Sequence, residues 1–167
     1  PKGVEYEHRS QYLHTLTQCM TDSMGLTGTD TVCGIVPMFH AMGWGIPWSA
    51  LMLGCKQVMP HRFMDPARLL DLMVAVKVTL SAGVPTIWQG VKGLYEANPD
   101  AYDLSALSRL TCGGSSPPPS LIRWFWDELD VEMIQGWGMT ETSPLATLSR
   151  RVMKRSQLAL SEDEQFE

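Results

Sequence analysis

Residues Gly136-Trp137-Gly138-Met139-Thr140-Glu141-Thr142-Ser143-Pro144 follow Val131-Glu132-Met133-Ile134-Gln135, a short apolar, partly alternating run that suits a strand. Two glycines flank an aromatic residue, so the backbone can approach other groups closely on both sides of a flat ring. Two hydroxyls and a carboxylate follow within a few residues. A planar platform, hydroxyl donors and one hard anion are what a nucleotide with a bound magnesium ion requires. On residue types alone, a glycine-rich turn after a buried strand, with Glu141 solvated, is an equal alternative.

Outward from this stretch, short apolar runs near 31–36, 56–59, 78–82 and 109–112 predict four further strands, separated by helical patterns. The alternation argues for an α/β fold with a largely parallel sheet covered by helices on both faces. Asp65-Pro66 is a good helix start, with Leu69, Leu70, Leu72, Met73 and Val76 as its buried stripe. Gly83-Val84-Pro85-Thr86 closes one strand and opens a helix carrying Ile87, Val91, Leu94 and Tyr95. Gly113-Gly114-Ser115-Ser116-Pro117 is another strand–turn–helix junction, where either serine can cap and Pro117 can begin the helix. From His8 to Gly25, Tyr12, Leu13, Leu16, Met20 and Met24 fall at helical spacing, and His8 and His14 read as surface or interface residues. His40 reads from its neighbours as a satisfied core histidine, and Trp44 as ordinary core packing. The basic segment 149–155 reads as a solvated loop and 158–167 as the start of a helix. Parallel sheets bind ligands beyond the carboxyl ends of their strands. The His40 block, the Val84 block, the Gly113 turn and the Trp137 loop all fall at such ends.

The 167 residues suggest one domain, and 44% hydrophobic content is that of a globular protein. A formal charge of −5 argues against a general nucleic-acid binder and leaves no polybasic membrane patch. Cys19, Cys33, Cys55 and Cys112 are spread without a CxxC pair, as expected of reduced core thiols in a cytosolic protein. No run is long and apolar enough to span a bilayer. The chain opens without methionine and closes on an acidic stretch, which reads as two cuts through a longer protein.

The string GWGMTETSP closely resembles the signature of the adenylate-forming (AMP-binding) superfamily, and within it the medium- and long-chain fatty acyl-CoA synthetases. Pro1-Lys2-Gly3 resembles the end of that family's phosphate loop. Pro37-Met38-Phe39-His40, with Trp44 four residues on, resembles its acyl-side block. Gly83-Val84-Pro85-Thr86 is very similar to another acyl-side segment, and Gly113-Gly114-Ser115-Ser116 resembles its adenine turn, with Ser116 in place of the usual alanine. The resemblance implies part of the large N-terminal domain over residues 1–167, with the phosphate-loop start, the ribose aspartate, the hinge and the lysine-bearing C-terminal domain outside the chain.

The resemblance also implies ATP, Mg2+ and CoA as cofactor and co-substrates, a fatty acid as the other substrate, and no nucleic acid. It assigns Glu141 to magnesium, Thr140 to the α-phosphate region and Lys2 to the phosphate loop. Gly113, Gly114, Ser115, Ser116, Gln135, Gly136, Trp137 and Gly138 fall to the nucleotide. His40, Trp44, Gly83, Val84 and Pro85 fall to the acid. It implies a cytoplasmic enzyme and leaves membrane contact and a homodimer open. The 167 residues alone are expected not to turn over. Two rivals remain: an adenylating enzyme of a carrier-protein-loading or luciferase-like branch, and a non-catalytic nucleotide-binding or interaction module.

Overall fold

The structure, a computed structural model, describes residues 3–62 and 64–166, so Lys2 lies outside the described residues. Six strands form one sheet: β1 (Thr31–Gly34), β2 (Lys56–Val58), β3 (Leu80–Gly83), β4 (Arg109–Cys112), β5 (Glu132–Gly138) and β6 (Leu145–Ser149). Their spatial order is β2-β1-β3-β4-β5-β6. The first five are mutually parallel, and β6 runs antiparallel to β5 with Gln135 opposite Ser149 and Trp137 opposite Thr147. The helices are α1 (His8–Cys19), α2 (Ala41–Trp44), α3 (Ile46–Leu53), α4 (Pro66–Val76), α5 (Pro85–Ala97), α6 (Pro119–Leu129) and α7 (Glu162–Gln165).

One face of the sheet is covered by α4, α5 and α6. Asp65 caps α4 by accepting from the Arg68 N–H at 3.2 Å, and Pro66 occupies the first turn, where its missing N–H costs nothing. Leu69, Leu70 and Met73 then reach the core with Trp88, Val91, Leu121 and Phe125, against Cys33, Leu110, Cys112 and Met133 from the strands. Trp88 and Phe125 meet edge to face at 6.4 Å between ring centres, and neither is exposed. Burying one such ring contributes about 4–6 kcal/mol before entropy is subtracted. The buried thiols are held protonated: burial pushes Cys33 up to about 11 and Cys112 to about 12.

The other face carries α1 and α3. Its apolar cluster is smaller and includes Met24, Val32, Ile46, Ala50, Leu80 and Ala82. Here the apolar period misleads. α1 ends at Cys19, and Tyr12, Leu13, Leu16 and Met20 are exposed. Its buried side is polar, and His14, expected as a surface or interface residue, is buried together with Thr15 and Gln18. These three, with half-buried Gln11, form a helical stripe at positions 11, 14, 15 and 18. The stripe faces loop backbone rather than apolar side chains, which is why the chain places amides and an imidazole there.

Two other expectations need correction. α6 begins at Pro119 with Pro118 before it and no serine cap, because three consecutive prolines delay the first helical turn. The segment after the motif is not a free loop. Leu145–Ser149 pairs with β5, and Arg150 then donates from Nε to Glu132 Oε1 at 3.0 Å, while Arg151 stacks over Trp126 at 4.0 Å. At the opposite, amino-terminal edge of the sheet, Arg109 meets Asp30 at 2.6 Å and donates to the Gly25 carbonyl at 2.6 Å.

Candidate functional site

At the carboxyl edge, β5 does not stop at Gln135. It continues through Trp137 to Gly138, so Trp137 stands on a strand and is 57% exposed. The chain then makes one 3-10 turn (Thr140–Thr142), a left-handed Ser143 and a cis Ser143–Pro144 bond before returning as β6. The return is tight. The Pro144 carbonyl accepts from the Met139 N–H at 3.0 Å and from the Thr142 hydroxyl. A Cβ on Gly138 would lie 2.1 Å from that carbonyl oxygen, so only glycine fits. From outside, Tyr6 donates to the Thr140 carbonyl and Gln11 Nε2 to the Ser143 carbonyl at 3.3 Å.

Next to this return lies a cavity of about 320 Å³. Of the residues expected at a site, His40, Trp44, Gly113, Gly114, Gly136, Trp137, Gly138 and Thr140 all line it. They come from the segments following β1 and β4 and from the end of β5. His40 is exposed, and its ring lies 4.7 Å from that of Phe39, so it is not a core histidine. It stands at the entrance to α2, and residues 41–45 that follow it all have positive φ, including Met42 (51°) and Trp44 (56°). Trp44 is half-buried, with its indole against the Gly113 turn. A Cβ on Gly113 would come within 3.1 Å of both Trp44 Cη2 and the Gly136 carbonyl oxygen.

The lining residues that were not expected include Gln18, Met24, Ile46 and Thr111. Gln18 belongs to the polar stripe of α1, which was the available signal. The Thr111 hydroxyl is buried in the cavity wall without a hydrogen-bond partner, so it is available to a polar atom of a ligand.

Ser116 and Gln135 are not in this cavity. They line a second one of about 390 Å³ on the α6 side, where Gln135 Nε2 meets Ser116 Oγ at 3.3 Å. Alternation along β5 separates them: Gln135 faces α6, while Gly136 faces Thr111, Leu145 and Leu148. Ser115 is exposed and lines neither cavity. Gly83, Val84 and Pro85 also line neither. Gly83 backs onto Trp88, Pro85 is buried in the first turn of α5, and Val84 Cγ1 supports Gly114 from behind.

Glu141 is exposed on the 3-10 turn and borders neither cavity. Burial, followed by the charge of Glu141, raises the pKa of the Tyr6 hydroxyl, which donates to the Thr140 carbonyl. Among the described residues no three ligating side chains cluster to hold a metal alone. A magnesium ion shared with nucleotide phosphates needs only one or two carboxylates, and exposed Glu141 suits that arrangement.

The parallel sheet, its converging glycine turns and the Gly-Trp-Gly-Met-Thr-Glu return at its carboxyl edge are the features on which the resemblance to the adenylate-forming class rests. The chain belongs to the AMP-binding enzyme family, whose model matches residues 1–163. It is 44% identical over 147 residues to a medium-chain-fatty-acid–CoA ligase of Ectopseudomonas oleovorans, a match covering 88% of this chain and 27% of that protein. It is 41% identical to a long-chain-fatty-acid–CoA ligase of Thermus thermophilus, covering 99% of this chain and 30% of the relative. The chain thus spans under a third of the length of these curated relatives. In three dimensions it resembles a long-chain-fatty-acid-CoA ligase from Archaeoglobus fulgidus with a TM-score of 0.78 at 26% identity, over 89% of this chain and 31% of that one.

Proposed function

We propose that the chain is part of a fatty acid–CoA ligase. The whole enzyme joins a fatty acid to the α-phosphate of ATP with release of pyrophosphate, and then passes the acyl group to the CoA thiol with release of AMP. The observation that carries this proposal is the convergence of His40, Trp44, Gly113, Gly136 and Thr140 on one cavity, in a chain whose relatives are named as medium- and long-chain fatty acid ligases.

The parity of β5 supports a division of labour. The acid occupies the cavity of Trp44 and Gly136. The base stacks on exposed Trp137 at the tip of β5, where the first cavity opens, with Gln135 and Ser116 on the α6 side of the strand. The two substrates then meet at the end of β5. The first half-reaction brings anions together, so the protein's task is positioning and charge neutralisation. The Thr140 hydroxyl donates to the α-phosphate region, His40 orients the carboxylate, and Lys2 adds a cation. Glu141 would hold a magnesium ion, which neutralises phosphate charge when bound. Among the described residues no helix is long and apolar enough to cross a membrane, and we place the enzyme in the cytoplasm.

ATP–pyrophosphate exchange by the full-length ligase, with acids of increasing alkyl length, tests the proposal. Exchange should rise with chain length, and Glu141→Gln should lower it by about a hundredfold. A folded full-length protein that exchanges with no acid would sink the ligase assignment.

A further inference from the structure

We propose that His14 and Gln18, on the polar side of α1, are positioning residues that hold the two walls of the cavity at a fixed separation. The proposal rests on the ligase assignment of that cavity. One wall is the turn at residues 41–45, which carries Trp44. The other is the return after Gly138, which carries Thr140 and leads into β6.

Gln18 is 1% exposed and uses both ends of its amide. Its Nε2 donates to the Trp44 carbonyl at 2.8 Å, and its Oε1 accepts from the Ser49 hydroxyl. His14, one turn earlier, is 7% exposed and accepts from the Leu145 N–H through Nε2 at 3.2 Å. That bond places the ring proton of the neutral imidazole on Nδ1. The ring also lies directly against Gly45, where an added Cβ would sit 2.6 Å from His14 Cε1. One imidazole therefore touches both walls, and one amide ties down the residue expected to face the acid.

Burying an amide and an imidazole on a helix face costs free energy that leucines at these positions would not. Local propensity cannot hold the Trp44 turn by itself, because L-residues avoid successive positive φ values. The bonds from α1 supply the constraint the turn lacks. A pocket wall displaced by about 1 Å loses productive geometry even when the fold survives.

The test is steady-state ATP–pyrophosphate exchange by the full-length ligase carrying His14→Leu, Gln18→Met or His14→Gln, with thermal unfolding measured in parallel. The amide of His14→Gln can reach the Leu145 N–H, so this variant restores the acceptor. Gln18→Met should raise the KM for the acid about tenfold and leave that for ATP nearly unchanged. His14→Leu should raise both, and His14→Gln should return both to within about twofold of wild type. Hydrogen exchange at the Leu145 amide gives a readout free of activity. Its protection should fall in His14→Leu and recover in His14→Gln. Unchanged KM values with a lowered kcat, or Leu145 protection that does not follow the acceptor, would overturn the positioning role while the ligase assignment stands. No exchange by the full-length wild-type protein would overturn both.

Discussion

The two faces of the sheet are built on different principles. Under α4, α5 and α6 the contacts are apolar, led by Trp88, Phe125 and the leucines of α4. Under α1 and α3 a small apolar cluster is framed by buried polar pairs: Gln18 with Ser49, His14 with the Leu145 amide, and Asp30 with Arg109 and Thr79. The cavity opens on the polar face. Apolar packing is non-directional and makes a stable slab. Hydrogen bonds fix distances between loops, and a site needs those distances.

The contrast can be broken at its strongest point first. Trp88→Ala should cost about 3–5 kcal/mol in denaturant unfolding and leave the KM values of exchange unchanged. Asp30→Ala should cost about 3 kcal/mol, because it removes the buried carboxylate that pairs with the half-buried Arg109 guanidinium. Gly113→Ala should change stability by only about 1 kcal/mol yet lower exchange about tenfold, since its methyl group meets Trp44 and the Gly136 carbonyl.

Acid should sharpen the difference between the faces. Burial lowers the pKa of His14 below its ordinary 6.5, so the unfolded chain binds the proton more readily. The stability from the neutral ring is complete above pH 6.5 and is lost as pH falls from there through the folded value. Asp30 acts at lower pH. Burial pushes its carboxyl up, but hydrogen bonds from Thr79 and Thr27 and the charge of Arg109 outweigh this and hold it below 3.8. Its contribution is present above pH 3.8 and lost as pH falls through that lower value. Urea titrations of wild type and His14→Gln across these windows check both, and the variant should lose only the upper slope. The smallest effect is expected on the outer side of α1, where Leu13→Ser should stay within about 0.5 kcal/mol by thermal unfolding.

The apolar face was legible in the sequence because period and capping agree there. Asp65-Pro66 with Leu69, Leu70 and Met73 is one consistent signal, and the five parallel strands lie where their apolar runs fall. α1 was misread for the opposite reason. Tyr12, Leu13 and Leu16 carry the strongest apolar pattern in that helix, and nothing in the sequence shows that Gln18 has a carbonyl to bind 26 residues away. β6 was missed because its partner is part of the motif itself, and a strand pairing across a glycine-rich return leaves little local pattern. The glycine turns, His40 and Trp44 were each placed at strand ends. That Gln135 and Ser116 face the other cavity follows from strand parity, which becomes readable only once β5 is known to run through to Gly138.

The sheet at this point is a partition one strand thick. Gln135 and Gly136 are neighbours in the chain, yet they open onto separate compartments. On the proposed assignment, a change at Met24 or Ile46 alters which acid is accepted without reaching the tip of β5, where the base stacks. Acid choice and nucleotide choice are thereby separately adjustable, and they share only the few residues at the tip of β5.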